Sequence, residues 1–115
     1  TAEYSDGEQK RDFIYIDDVV SINMFFMKEI FHGVYNVGTG KAEPFNEIAN
    51  NIFKYYNDEK RNFNYVEMPK YLVPKYQNFT QANIYKLKST GYNYDFFSLK
   101  EGVENYLNDL STSVT

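Results

Sequence analysis

The chain has 115 residues, a formal net charge of −4 and a pI of about 4.9. This is the length of one domain, too short for a complete dinucleotide-binding domain beside a substrate domain, and the acidic balance argues against a nucleic-acid partner. The absence of cysteine excludes disulfides, thiolate zinc sites and a cysteine nucleophile, and no apolar run is long enough to span a membrane.

The first strand and helix are predicted between residues 11 and 31. Residues 11–16 are rich in aromatic and β-branched side chains, which favours a strand. Asp17 or Asp18 can then accept the first backbone N–H groups of a helix that runs to about Phe31. The apolar stripe of this helix is broad enough for burial on two sides.

Two more strands and one helix are predicted in the middle of the chain. Residues 34–37 predict a second strand, which a glycine-containing turn at residues 38–40 ends. Apolar side chains between Phe45 and Tyr56 recur at helical spacing, so this segment predicts an amphipathic helix. Residues 63–68 alternate as a third strand would.

Two helices are predicted in the last third. Asn83 is placed to cap a short helix over residues 84–90, and Ser98 and Glu101 form a capping box for a last helix. The predicted fold class is therefore mixed α/β, with small sheets and about four helices. We expect a domain over residues 1–110 and a frayed tail over residues 111–115.

Two small motifs have a structural explanation that we favour. The loop Gly38-Thr39-Gly40 lies between a strand and a helix, as a phosphate-binding loop would, but Glu43 stands where the third glycine belongs. We therefore interpret the loop as a turn. His32 is the only histidine and lies at the end of a predicted helix, so a triad or a histidine metal site is not expected.

The spacing Tyr-x-x-x-Lys is that of a catalytic tyrosine whose pKa is lowered by a lysine. It occurs at Tyr56 and Lys60 and again at Tyr71 and Lys75. Pro74 interrupts any helix between the second pair, and Lys60 falls in a loop beyond its helix. Because such matches arise by chance in a chain so rich in tyrosine and lysine, we predict no catalytic residue here.

Arg11 is the strongest candidate for ligand binding. It is one of two arginines and starts a predicted strand, so its backbone is held in place. A guanidinium offers paired donors to phosphate oxygens. The alternative is a salt bridge to Asp12, Asp17 or Asp18.

Three segments carry a resemblance to a known family. Residues 6–19 resemble the RDFxYVxDV segment of nucleotide-sugar enzymes of the extended short-chain dehydrogenase/reductase family, and residues 36–49 resemble the NxGTG segment that follows it. Residues 76–83 are similar to the narrower YQxFTQAD segment of the ADP-L-glycero-D-manno-heptose 6-epimerases. The resemblance extends over residues 6–110 and implies a C-terminal substrate-binding domain.

This resemblance implies an isomerase that inverts C6 of ADP-D-glycero-D-manno-heptose by transient oxidation with NADP, for lipopolysaccharide core synthesis. NADP and the catalytic residues would lie in an N-terminal cofactor domain outside this segment, so the chain would be inactive alone. Carried over from the family motifs, Arg11 would bind the pyrophosphate of the ADP-sugar and Tyr76 would contact its nucleotide end.

The resemblance also implies a cytoplasmic protein that forms a homo-oligomer when intact, without nucleic acid or membrane as a partner. We expect an apolar face of the helix over residues 18–31 to pack on the cofactor domain. Two alternatives remain open. One is a related UDP- or dTDP-sugar 4-epimerase or 4,6-dehydratase, and the other is a non-catalytic interaction domain.

Overall fold

The computed structural model describes residues 3–58 and 63–113. Its regular elements in chain order are β1 (Lys10–Arg11), α1 (Ile16–Lys28), β2 (Glu43–Pro44), α2 (Phe45–Tyr55), a 3₁₀ turn (Val73–Lys75), α3 (Tyr85–Ser89) and α4 (Leu99–Ser113). The mixed α/β class with four α-helices and a small sheet is confirmed. Within these residues, no helix is both long and apolar enough to cross a membrane.

The sheet is small and has two strands. β1 pairs antiparallel with β2, and Arg11 stands opposite Glu43. On its other side, Lys10 forms an isolated parallel bridge with Phe79. The short strand β1 therefore joins two segments that follow it by more than 30 and more than 60 residues.

The predicted strands are largely wrong. β1 ends at Arg11 instead of continuing to residue 16, and neither residues 34–37 nor residues 63–68 form a strand. Aromatic and β-branched residues fit a pleated surface, but a strand also needs a neighbouring backbone to bond with. In the described part of the chain, such neighbours are present only between β1 and β2 and at the isolated bridge from Lys10 to Phe79.

Helix α1 begins earlier than predicted. Tyr15 is its N-cap residue, without a side-chain cap, and both Asp17 and Asp18 lie in the first turn. The predicted capping role of these aspartates is therefore wrong, although a carboxylate in the first turn still interacts favourably with the helix dipole. The helix ends at Lys28 rather than near residue 31.

The other helices follow their predictions closely. The Ser98 hydroxyl accepts a bond from the Glu101 N–H, and the Glu101 carboxylate accepts one from the Ser98 N–H, both at 3.1 Å, so the capping box is confirmed. Asn83 accepts a bond from the Tyr85 N–H at the start of α3. Helix α4 continues through residues 111–113 of the predicted tail, and residues 114–115 lie outside the described part.

The core is small and lies between α1, α3 and the segment after α3. Ile22, Leu87 and Tyr92 are each no more than 3% exposed. The partly buried side chains packed against them are Ile14, Phe25, Phe26 and Phe96. Burial of this apolar cluster supplies the main stabilisation of the fold.

The chain exposes more surface than a compact domain would. Its accessible surface is 8793 Å², whereas a compact monomer of 13.6 kDa exposes about 6,600 Å². Its radius of gyration is 17.0 Å, against about 13 Å for a compact chain of this length. The molecule is therefore flat and open.

Candidate functional site

The carboxylate of Asp12 joins three distant segments. One oxygen accepts bonds from the N–H and the hydroxyl of Thr39. The other accepts bonds from the N–H groups of Gly40 at 2.8 Å and Ala82 at 3.2 Å. Because Asp12 follows β1 directly, these bonds position the first residues of the chain against the glycine loop and the segment before α3.

The glycine loop has a packing role. A Cβ atom on Gly38 would lie 2.5 Å from the Cβ of Ala82 and 2.7 Å from an oxygen of Asp12, so only glycine fits. The N–H groups of Thr39 and Gly40 donate to Asp12 and do not form a cradle for a phosphate. Residues 38–40 bend the chain and pack on Asp12, but the strand that was predicted to precede them is not formed.

Arg11 lies among aromatic rings. Its guanidinium carbon is 4.9 Å from the ring centroid of Tyr76 and 5.9 Å from that of Phe45, and one nitrogen donates to the Lys10 carbonyl at 2.8 Å. Stacking on these rings holds the side chain while leaving most of its donors available.

The alternative interpretation of Arg11, a salt bridge to a neighbouring aspartate, finds no support in residues 3–58 and 63–113. Both ion pairs that the structure shows there are between lysine and glutamate. Asp12 is engaged with the glycine loop. Asp18 points elsewhere and accepts a bond from the Phe97 N–H at 3.0 Å.

A cavity of about 760 Å³ lies beside this arginine. The loop around Gly7, the first turn of α2, residues 63–68 and the segment from Lys70 to Tyr76 line it. Phe45 and Tyr76, the two rings nearest Arg11, are both part of this lining. The structure thus brings Arg11 and Tyr76 together, although they are far apart in the sequence.

The chemistry of this cavity is that of binding. Its lining combines four aromatic rings with one cation, Lys70, and two carboxylates, Asp6 and Glu67. With the nearby Arg11, such a lining can take a ligand that has both a planar group and polar or charged groups. Of the Tyr-x-x-x-Lys matches, Tyr71 and Lys75 are separated by the start of the 3₁₀ turn, and Lys60 lies outside the described residues. His32 is exposed, and no metal-binding cluster occurs in the described part of the chain.

The burial of Asp18 is a feature that the sequence did not predict. The residue is 4% exposed. Desolvation raises the pKa of its carboxyl above the ordinary value, the bond from the Phe97 N–H opposes this, and the negative charges of Asp17 and Glu101 add to the increase. Asp18 therefore links the start of α1 to the segment before α4 and has no part in the cavity.

Two other residues of structural importance were also missed, Asp12 and Asn46. Asp12 follows Arg11 in a segment whose pattern predicted a strand, and nothing in the spacing shows that its partners lie 27 to 70 residues away. Asn46 lies in the first turn of an amphipathic helix, where the pattern assigns it to the solvent side. In the structure its backbone N–H donates to the Gly7 carbonyl at 2.9 Å, a contact between residues 39 apart that the pattern does not show.

Known proteins that are similar to this chain in sequence or structure include several nucleotide-sugar epimerases. The NAD dependent epimerase/dehydratase family matches residues 1–38. The ADP-L-glycero-D-manno-heptose-6-epimerase of Helicobacter pylori matches with a TM-score of 0.72 and 32% identity over 91% of this chain and 31% of its own. The UDP-glucose 4-epimerase of Thermotoga maritima, solved with UDP-glucose, matches with a TM-score of 0.77 and 25% identity over 97% of this chain and 35% of its own.

A third structure adds a cofactor. The UDP-glucuronic acid 4-epimerase of Bacillus cereus, in complex with a fluorinated UDP-sugar and NAD, matches with a TM-score of 0.72 and 26% identity over 93% of this chain and 34% of its own. The chain thus spans about a third of the length of each solved structure that it matches.

These matches define the class of protein. The fold is similar to that of nucleotide-sugar epimerases, and the predicted resemblance to these enzymes is confirmed. Within that class the chain is similar both to an ADP-heptose 6-epimerase and to UDP-sugar 4-epimerases.

Proposed function

We propose that this chain is the nucleotide-sugar-binding part of an epimerase and that the nucleotide sugar is ADP-glycero-manno-heptose, inverted at C6. The observation that carries the proposal is the position of Arg11. Its guanidinium lies against Tyr76 and Phe45 beside the cavity, and no carboxylate among the described residues pairs with it. In this proposal Arg11 binds the pyrophosphate and Tyr76 contacts the nucleotide end.

The physical chemistry of the cavity supports this assignment. A guanidinium donates two parallel hydrogen bonds to phosphate oxygens, and its planar face remains stacked on an aromatic ring while it does so. The volume of about 760 Å³ lies within the range of about 300–1,000 Å³ that is common for small-ligand sites. A nucleoside diphosphate with a sugar attached fits a cavity of this size.

The preference for ADP over UDP rests on sequence. The heptose epimerase of Helicobacter pylori is 32% identical, against 25% for the UDP-glucose epimerase, and residues 76–83 carry the narrower motif. The higher TM-score of the UDP-glucose epimerase, 0.77 against 0.72, favours the alternative of a UDP-sugar 4-epimerase.

The oxidation and reduction steps are proposed to use NADP bound by a separate cofactor domain. The glycine loop of this chain donates its N–H groups to Asp12, so the described residues do not hold a dinucleotide in that loop. We therefore expect this chain to provide substrate binding and to be inactive alone. We place the intact enzyme in lipopolysaccharide core synthesis and expect it to form a homo-oligomer.

The exposed face of α1 supports the proposed domain contact. Ile16, Val20 and Met27 lie along one side of the helix and are 59%, 47% and 85% exposed. The accessible surface of the chain exceeds that of a compact monomer by about 2,200 Å². An area of this size matches what one partner buries in a large permanent interface. We assign this face to the contact with the cofactor domain.

Titration of the chain with ADP, UDP and dTDP, followed by NMR chemical shifts, tests the proposal. We expect saturable binding with ADP preferred, and a loss of about tenfold or more in Arg11→Gln because a charge-assisted pair is removed. Lys10→Gln removes the same charge from the neighbouring residue and should leave affinity within about twofold. A clear preference for UDP would support the 4-epimerase alternative, and equal effects of the two substitutions would contradict the role of Arg11.

A further inference from the structure

A second aromatic side chain is held rigidly in the cavity, away from the predicted site residues. Tyr65 lines the cavity, and its hydroxyl donates to the side-chain oxygen of Asn46 at 2.6 Å. The residue remains 49% exposed. An exposed tyrosine usually keeps its rotamer freedom, whereas this one is anchored at its tip.

The anchor is itself immobile. The side-chain NH₂ group of Asn46 donates to the Asp6 carbonyl and to the Glu8 carboxylate, and its backbone N–H donates to the Gly7 carbonyl at 2.9 Å. These acceptors leave only the side-chain oxygen to receive the Tyr65 hydroxyl, which sets the orientation of the amide.

Gly7 makes this arrangement possible. Its φ of +73° lies in the left-handed region, and a Cβ atom there would overlap the side-chain oxygen of Asn46. Any other residue would displace the amide that Tyr65 bonds to.

The Tyr65 ring also packs against a neighbouring ring. The rings of Tyr65 and Phe63 are perpendicular, with centroids 5.3 Å apart and planes at 90°. Phe63 in turn stacks on Phe53, with centroids 5.5 Å apart and planes at 10°. The hydroxyl and the ring of Tyr65 are therefore both held by the protein, while the residue remains half-exposed in the wall of the cavity.

We propose that Tyr65 is the stacking surface for the nucleobase of the ligand and that Asn46 is the positioning residue that holds it. This inference rests on the proposed function, since it divides the same cavity between two groups of the ligand. Arg11, next to Tyr76 and Phe45, binds the diphosphate, and the preorganised ring of Tyr65 takes the planar base. An aromatic ring stacks on any nucleobase, so selectivity between bases must come from the polar groups around it.

The test compares a ligand that has a base with one that lacks it. ADP and inorganic pyrophosphate are titrated separately against the chain and its variants. We expect Tyr65→Leu to weaken ADP about tenfold, which is within the usual cost of losing one stacked base, and to leave pyrophosphate unchanged. Tyr65→Phe keeps the ring but loses the bond to Asn46, so its affinity for ADP should lie between those of the wild type and Tyr65→Leu.

The control is Tyr71→Leu, which removes an exposed tyrosine that does not line the cavity. An amide NMR spectrum of each variant verifies that it is folded. If wild-type protein fails to bind both ligands, the proposed function is contradicted, and this inference with it. If ADP binding is intact and weakened by Arg11→Gln, yet Tyr65→Leu behaves as Tyr71→Leu does, only the role of Tyr65 is wrong. Equal losses in Tyr65→Leu and Tyr65→Phe would contradict the role of the ring as the stacking surface.

Discussion

Replacing Asp12 by asparagine tests whether one carboxylate organises the site. Its two oxygens accept four hydrogen bonds, from Thr39, Gly40 and Ala82. Asparagine has nearly the same shape but only one side-chain oxygen, so its NH₂ group must face backbone N–H donors whichever way the amide is turned. At least one backbone N–H group then loses its acceptor and faces the NH₂ group, which is itself a donor.

The magnitude follows from the number of bonds lost. A hydrogen bond to a charged group contributes about 1.5–3 kcal/mol. Either orientation of the introduced amide removes two of these bonds and leaves the other two with an uncharged acceptor. Because such losses are not additive within one network, we expect a decrease of about 3 kcal/mol in the free energy of unfolding. A domain of this size has a total stability of about 5–15 kcal/mol, so the variant should be markedly weakened yet still folded at low temperature.

Urea unfolding followed by tyrosine fluorescence and far-ultraviolet circular dichroism measures the change, since the chain has 12 tyrosines and no tryptophan. Asp95→Asn is the matched control, because it makes the same chemical change at an exposed position. The two variants should differ by more than about 2 kcal/mol. A difference below about 0.5 kcal/mol, the usual range for surface substitutions, would refute the assigned role of Asp12.

Two further predictions concern α1. Burial raises the pKa of Asp18, so the native state binds the proton of this carboxyl more tightly than the unfolded chain does. The contribution of Asp18 to the free energy of unfolding is therefore greatest below the ordinary pKa of aspartate. It falls as the pH rises from there through the raised pKa. Asp18→Asn keeps an acceptor for the Phe97 N–H and cannot ionise, so the difference in unfolding free energy between pH 4 and pH 7 should shrink; parallel changes in both proteins would contradict this. An exposed apolar face also favours self-association of the chain. Val20→Glu places a charge on this face and should therefore lower the mass measured by light scattering, whereas Gln77→Glu, at an exposed site elsewhere, should not. Equal masses for both variants would argue against α1 as a contact surface.

The helices were largely determined by the sequence. The spacing of apolar side chains from Phe45 onward predicted α2 to within one residue of its end, and the pair Ser98 and Glu101 predicted the start of α4. Helical hydrogen bonds and caps join residues three or four apart, so the information needed to predict them lies within a short segment.

The site was determined only by the tertiary structure. The motif resemblance pointed to Arg11 and Tyr76, but their contact across 65 residues, the four bonds of Asp12 and the anchoring of Tyr65 by Asn46 have no local signature. The strands predicted at residues 34–37 and 63–68 are not formed for the same reason. Their composition favours a sheet, but the described chain supplies no neighbouring strand for them. Periodicity reports which side of an element is apolar, whereas partners distant in sequence are selected by the packing of the whole chain, and the site consists of such partners.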